Sequence, residues 1–245
     1  MKPYLFLDLD DTIFQTQRKC PCGNELTVAA LSRDGSPLSF MTTQQMALLK
    51  LLQETMHVIP ATARNYDAYK RVCIDFKQEA VLNYGGVILL SDGSIDVKWD
   101  ATLRTELIAY SNELFTAKRE LDNYVKRNQL DVTVRIINDY DMDLYVVIKH
   151  RKSDNKALKR LYNDCVLKIV PKSCYLHFND NNIAIIPNAL NKANAVSYLI
   201  KNYYASQYGD IITIGMGDSL SDLKFMGICD FMMTPKTSQI SRALL

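Results

Sequence analysis

One short apolar run, Tyr4-Leu5-Phe6-Leu7, leads straight into Asp8-Leu9-Asp10-Asp11-Thr12. A second run, Ile211-Ile212-Thr213-Ile214, passes through Gly215-Met216-Gly217 into Asp218-Ser219-Leu220-Ser221-Asp222. Apolar runs of that length, bounded by charge, read as buried parallel strands. Ligands of open α/β sheets gather at the carboxyl ends of such strands. Two such ends side by side would set Asp8, Asp10, Asp218 and Asp222 around one point. Asp8 and Asp10 stand two apart, so a continuing strand sends both side chains the same way. Clustered carboxylates repel one another, and a hard, oxygen-seeking cation such as Mg²⁺ is the usual way to offset them. Either stretch alone also reads as a strand with a solvated acidic turn; the presence of both favours a site.

These acids need elements to hold them. The pattern predicts a strand over 4–9, then a β-hairpin turning at Asp34-Gly35. Thr42 or Thr43 caps a helix over 44–55 that buries Met46, Leu49, Leu52 and Met56. A strand over 57–61 follows, then a helix over 65–76. Residues 80–90 read as a strand and half a hairpin turning at Ser91-Asp92-Gly93.

The middle third changes character. Leu103, Leu107, Tyr110, Leu114, Ala117, Leu121 and Val125 fall at helical spacing and predict one long helix over 100–128. Strands over 132–138 and 144–149, a helix over 154–166 and strands over 174–178 and 183–186 complete an α-β-β pattern used twice. Antiparallel strands with helices on one face form an α+β layer. Beyond Pro187, helix and strand alternate again over 191–205, 210–215, 220–226 and 230–233, ahead of a polar tail. The expected fold class is α/β: a Rossmann-like parallel-sheet core, discontinuous over 1–95 and 187–245, carrying an α+β insert over 96–186. A ligand site between two such domains is the default expectation.

Composition narrows the function classes. The chain has 245 residues, 48% of them hydrophobic, and a net charge of +2. That balance offers no electrostatic case for nucleic acid or an anionic membrane. No apolar run is long enough to span a bilayer, and the N-terminal strand lacks the features of a secretory signal; a cytoplasmic protein is the expectation. The six cysteines need no disulfides in that setting. Cys20-Pro-Cys22 is the one close pair, and no second Cys or His pair follows it to complete a zinc site. Loss of activity on oxidation, absent from a Cys20→Ser, Cys22→Ser variant, would mark that pair as a redox sensor. No Gly-x-x-x-x-Gly-Lys-Ser/Thr occurs, which argues against a P-loop kinase.

The Asp-x-Asp-x-Thr of residues 8–12 and the Gly-Asp-x-x-x-Asp of 217–222 resemble motifs I and IV of the haloacid dehalogenase superfamily. Ala61-Thr62-Ala63-Arg64, ending a strand, is similar to motif II of its Cof-type and sucrose-phosphatase-like branches. Lys192, in Asn191-Lys192-Ala193, looks like the motif III lysine. The α-β-β-α-β-β insert resembles the C2B cap of that superfamily, and residues 14–41 its flap, here longer than the minimum. The resemblance implies a phosphatase in which Asp8 is the nucleophile and Asp10 the general acid and base. Mg²⁺ is then held by Asp8, the Asp10 carbonyl and Asp218, with Asp222 as a further ligand or anchor. Thr62 and Lys192 bind the phosphoryl group. Arg64 and Asn65 stand beside Thr62 in the chain, which suits either a substrate contact or a surface salt bridge. Asp11 takes no part in catalysis and faces away or meets the flap.

The implied substrate is a small phosphorylated metabolite, a sugar phosphate first. A phosphomutase or phosphotransferase of the same superfamily, or a Mg²⁺-binding protein without turnover, remains the alternative. Receiver domains also combine an acidic pair, Thr and Lys, but phosphorylate an Asp at the end of the third strand, where this chain has Ala61-Thr62. Single groups have plainer readings: Thr62 as a helix N-cap, Asp222 as the cap of a helix over 223–226, Lys149-His150-Arg151-Lys152 as a solvated turn.

Overall fold

A continuous apolar run, buried on both faces, sets the centre of the first of two compact units, residues 1–100 with 191–245. The computed structural model describes residues 2–244 except 24, 153, 180 and 181. β1 (Tyr4–Leu7) is buried along its whole length. Leu5 and Leu7 point to one cluster with Val58, Leu49 and Leu52; Tyr4 and Phe6 point to the other with Ile59, Val196, Leu199 and Phe225. A strand covered on both faces is what a continuous apolar run encodes.

In chain order the unit continues with β2 (Gln15–Thr16), β3 (Leu26–Leu31), β4 (Pro37–Thr42), α1 (Thr43–Thr55), β5 (His57–Pro60), α2 (Tyr66–Tyr69), β6 (Ala80–Leu82), β7 (Val87–Leu89) and the first four residues of α3 (Val97–Leu107), which runs on into the second unit. The second unit, 101–190, holds α4 (Ser111–Arg127), β8 (Val132–Asp139), β9 (Met142–His150), α5 (Asn155–Leu161), α6 (Leu167–Ile169), β10 (Cys174–Asn179) and β11 (Asn182–Pro187). The chain then re-enters the first unit as α7 (Lys192–Leu199), α8 (Ala205–Tyr208), β12 (Thr213–Met216), α9 (Leu223–Met226), β13 (Phe231–Met233) and α10 (Gln239–Leu244).

The core sheet has the order β13-β12-β1-β5, parallel throughout. Tyr4 to Leu7 pair in register with Thr213 to Met216 on one side and His57 to Pro60 on the other. Flush register brings three strand ends to one edge. Asp8 N–H donates to the Met216 carbonyl and Ala61 N–H to that of Leu7, both at 2.8 Å. The α/β reading of the sequence holds.

Several local expectations do not. The helix expected over 65–76 stops at Tyr69 because the chain is recruited as an extra strand. Val72 bridges to Ala30, Leu31 N–H donates to Arg71 O, and Cys73 N–H donates to Ala29 O. Backbone pairing to β3, 40 residues away, outweighs a helical pattern of short range. The expected hairpin is present, but β2 joins it to make a three-stranded β2-β4-β3 sheet. Met46 is exposed, while Leu49 and Leu52 are buried; Thr42 caps α1 in a reciprocal box with Gln45. Residues 80–90 form two strands split by a left-handed turn at Asn83, Tyr84 and Gly85. The polar tail holds a helix: Ser238 Oγ accepts from Ser241 N–H and Ile240 is buried.

The second unit is a four-stranded antiparallel sheet, β10-β11-β9-β8. Leu114, Ala117 and Leu121 of α4 and Leu158 and Leu161 of α5 pack on Val146, Ile148, Ile183 and Ile185. The long helix expected over 100–128 is α3 and α4, joined by a tighter turn at Ile108–Tyr110. Tyr140 and Asp141, both at positive φ, make the β8–β9 turn, which two-residue hairpins require. His150 is buried and its Nδ1 accepts from the backbone N–H groups of Lys152 and Asp154, so it closes a turn. No helix among the described residues is long and apolar enough to cross a membrane.

Candidate active site

Asp8 is the first residue past β1, at the edge where β12 and β5 also end. Its side chain is buried, with Oδ1 accepting from Lys192 Nζ at 2.7 Å and Oδ2 from Thr12 Oγ1 at 2.9 Å. Thr12 comes back to Asp8 because the chain turns at once: Asp11 sits at φ +62° and its N–H donates to the Phe14 carbonyl. The same hydroxyl lies 3.4 Å from Asp218 Oδ1. Thr12 thus links the two acidic loops, a role visible only once β1 and β12 are paired.

Asp218 and Asp222 leave the end of β12. Asp222 Oδ1 accepts from Lys192 Nζ at 2.7 Å. Its Oδ2 accepts from Ser219 N–H at 3.1 Å and Ser219 Oγ at 2.6 Å. Asp222 therefore does not cap α9 with its side chain. Gly217 is needed for this approach: a Cβ there would lie 2.7 Å from Asp222 Cβ. One oxygen each of Asp8, Asp218 and Asp222 lie within 4.8 Å of one another.

The electrostatics follow from burying three acids beside one cation. Burial is the largest influence on Asp8 and, with Asp222 and Asp218 nearby, holds its carboxyl well above the ordinary range despite Lys192. Burial, then the charges of Asp222 and Asp11, push Asp218 up to about 7. Burial also acts against Asp222, but the Lys192 charge and the hydrogen bonds of Lys192 and Ser219 outweigh it and hold this carboxyl low. Burial opposes the Lys192 ammonium, yet Asp222 and Asp8 hold its pKa above the ordinary value. When all three carboxylates are ionised, the one ammonium in contact with them, Lys192, offsets a single charge. The donors are all carboxylate oxygens at mutual distances one ion can bridge, so the residues fit a hard divalent cation.

The sequence grouped Asp10 with these acids; the structure turns it elsewhere. Arg64 grips it from both sides, Nε to Oδ2 at 2.8 Å and Nη2 to Oδ1 at 2.7 Å. The strand ends before Asp10, so the period-two rule does not extend to it. Arg64 is itself fixed by Ala68 O and lies over the Phe14 ring, 5.1 Å from its centroid. Asp11 meets Lys19, in the segment after β2, at 2.5 Å. Thr62 is buried at the end of β5, and its Oγ1 accepts from Arg64 N–H at 3.2 Å, so it caps no helix. Asn65 is the residue that caps α2, through Ala68 N–H. Lys192 opens α7, where Asn191 Oδ1 accepts from Ala193 N–H. Sequence reasoning did not foresee Thr12, Ser219 or the Arg64–Asp10 pair. The Thr closing Asp-x-Asp-x-Thr and the Ser after Asp218 were the only hints.

A parallel core sheet with an acidic cluster at its carboxyl edge defines an α/β enzyme architecture, and the comparisons give the family. Residues 97–233, more than half of the chain, match the model of the haloacid dehalogenase-like hydrolases. The chain belongs to that family. No curated protein sequence matches it. Solved structures share the fold at low identity. The sucrose-phosphatase of Synechocystis sp. PCC6803, in complex with sucrose and phosphate, is 16% identical with a TM-score of 0.55, over 100% of this chain and 87% of that one. The IMP-nucleotidase of Plasmodium falciparum is 11% identical with a TM-score of 0.54, over 99% and 66%. The C-terminal domain of the C. albicans trehalose-6-phosphate phosphatase is 15% identical with a TM-score of 0.53, over 92% and 73%.

Proposed function

We propose that this hydrolase is a Mg²⁺-dependent phosphomonoester phosphatase that works through an aspartyl-phosphate on Asp8, with a small phosphorylated metabolite as substrate. The observation that carries the reading is the environment of Asp8: a buried carboxylate held by Lys192 and Thr12 beside Asp218 and Asp222. Asp8, Asp218 and the backbone carbonyl of Asp10 would hold Mg²⁺, with Asp222 as a further ligand or anchor; the ion, when bound, offsets the negative charge of the acids and the phosphoryl group. An Asp8 oxygen attacks phosphorus, the bond from phosphorus to the ester oxygen breaks, and Asp10, protonated once substrate frees one of its oxygens from Arg64, gives that oxygen a proton. Water then attacks the phosphorus of the acyl phosphate, Asp10 takes its proton, and inorganic phosphate leaves with Asp8 restored. Lys192 orients Asp8 for the attack and adds positive charge for the phosphoryl oxygens. Thr62 supplies a hydroxyl donor to them, and Arg64 aims Asp10.

The α+β unit 101–190 serves as a cap of the C2B type and sets specificity. Sugar phosphates come first as substrates, supported by the names of two structural neighbours, a sucrose-phosphatase and a trehalose-6-phosphate phosphatase. The IMP-nucleotidase places nucleotides in the same panel. The test is hydrolysis of an aryl phosphate with and without Mg²⁺, beside Asp8→Asn, followed by a panel of phosphorylated sugars and nucleotides. Metal-dependent turnover lost in Asp8→Asn is the expected result. No turnover in a folded, Mg²⁺-binding protein would move the assignment to phosphoryl transfer onto another acceptor.

A further inference from the structure

Between β6 and β7 the backbone does something costly. Asn83, Tyr84 and Gly85 take φ values of +52°, +59° and +99° in succession. Two of the three are not glycine, and non-glycine residues in this region carry strain that the surroundings must hold in place. The turn is buried, and each of its residues touches the backbone of a segment bearing a site residue. Asn83 N–H donates to Arg64 O at 2.9 Å and Tyr84 N–H to Thr62 O at 3.2 Å. Gly85 lies against the start of α7: a Cβ there would stand 2.5 Å from Asn191 O and 3.1 Å from Lys192 N. Trp99 Nε1–H, from the first turns of α3, fixes the Gly85 carbonyl at 3.0 Å.

We infer that the left-handed turn Asn83-Tyr84-Gly85 is a positioning device that sets Lys192 against Thr62 and the Arg64–Asp10 pair, with Gly85 as its critical residue. The turn is wedged between the Thr62–Arg64 run and the N-terminus of α7. The thickness of the wedge therefore sets how far the Lys192 ammonium reaches toward Asp8. Only glycine makes it thin enough, both for its φ and for the space at Asn191. The inference rests on the phosphatase reading for its consequence in turnover, but not for its geometry.

The test compares Gly85→Ala with Gly93→Ala in the full-length protein. Gly93 has φ +84° in an exposed hairpin, and a Cβ there meets nothing within 4 Å. Both variants carry the same kind of backbone strain, but only the first presses on Lys192. Two readouts are taken where each variant is fully folded by circular dichroism. One is the rate of Lys192 acylation by limiting acetic anhydride, followed by mass spectrometry on metal-free protein. The other is kcat/KM on an aryl phosphate with the inhibition constant of inorganic phosphate. Gly85→Ala should raise Lys192 reactivity and weaken both kcat/KM and phosphate binding by about tenfold or more, as sub-ångström to ångström misplacement does. Gly93→Ala should match the wild type in both. If Gly85→Ala does not fold, Trp99→Phe removes the donor to Gly85 O while keeping an aromatic ring against Tyr198, and should give about a threefold change in the same direction. Wild-type Lys192 reactivity in a folded Gly85→Ala, in the fallback Trp99→Phe, or equal changes in Gly93→Ala, would overturn the inference. A wild-type protein that hydrolyses nothing would overturn the phosphatase reading instead, and the Lys192 acylation rates would still decide this one.

Discussion

The first unit buries carboxylates in two places and treats them in opposite ways. Asp96, just ahead of α3, is 3% exposed. Its Oδ1 accepts from the backbone N–H groups of Lys98 and Trp99, both at 2.9 Å, and its Oδ2 from Tyr203 Oη at 2.5 Å; Tyr198 Oη lies within 3.2 Å of both oxygens. One charge is met by four neutral donors and the positive end of a helix. Burial and Asp96 push Tyr198 up to about 12, so its hydroxyl stays a donor. At the other place Asp8, Asp218 and Asp222 share one lysine, and two of the three carboxyls are held above their ordinary range. A buried acid that the chain satisfies by itself is architecture. A buried cluster left short of positive charge is built for something that arrives from outside.

The sharpest way to break this contrast is to neutralise one acid at each place. Asp8→Asn should cut aryl phosphate turnover by about a thousandfold or more, while the metal-free protein keeps or gains thermal stability because a crowded charge is gone. Turnover near that of the wild type would remove Asp8 from the chemistry. Asp96→Ala should do the reverse. It removes the shared acceptor of four part-buried donors and should lower stability by about 2 kcal/mol in denaturant titration. The rise in melting temperature on adding Mg²⁺ should persist in Asp96→Ala and vanish in Asp218→Asn. A lost Mg²⁺ response in Asp96→Ala would merge the two places into one.

The pH dependence sharpens the contrast further. The Asp218 carboxyl is raised to about 7 in the fold, against an ordinary value of 3.8. Between those values the folded state holds a proton that the unfolded chain has lost, so this group's contribution to metal-free stability declines as pH rises through that window. A cation must displace the same proton. With Asp8 raised as well, Mg²⁺ affinity should therefore climb by about tenfold or more per pH unit below 7, measured by calorimetric titration. An affinity flat from pH 5 to 8 would contradict the assignment of Asp218 as a ligand. The smallest effect is expected at Ser219→Ala, which removes the 2.6 Å hydroxyl bond to Asp222 but keeps the backbone one. About 1 kcal/mol of stability should be lost, with Mg²⁺ binding weakened and not abolished.

Much of the acidic site was readable in advance because two strands announce it. The runs ahead of Asp8 and Asp218 are apolar without alternation, which marks them as parallel and buried, and the carboxylates fall directly at their ends. Lys192 and Thr62 were readable only through the family's motif order, since a lone lysine at a helix start carries no pattern of its own. Asp10 was misdirected by extending strand periodicity past Leu7. The helix expected beyond Asn65 failed at Tyr69 for a related reason: helical spacing is a property of neighbours, whereas Arg71 and Cys73 answer to backbone groups of Leu31 and Ala29.

The linear chain thus determined which residues carry charge, which strands are buried on both faces, and that acids sit at the ends of two of them, because burial and alternation are written in residue type and spacing. Only the tertiary structure decided that Thr12 bridges Asp8 and Asp218, that Arg64 holds Asp10, that Lys192 lies between Asp8 and Asp222, and that three left-handed residues wedge Lys192 from Thr62. Each of these contacts joins groups far apart in sequence or turned by an irregular loop, and their geometry exists only once strand register and helix packing have closed.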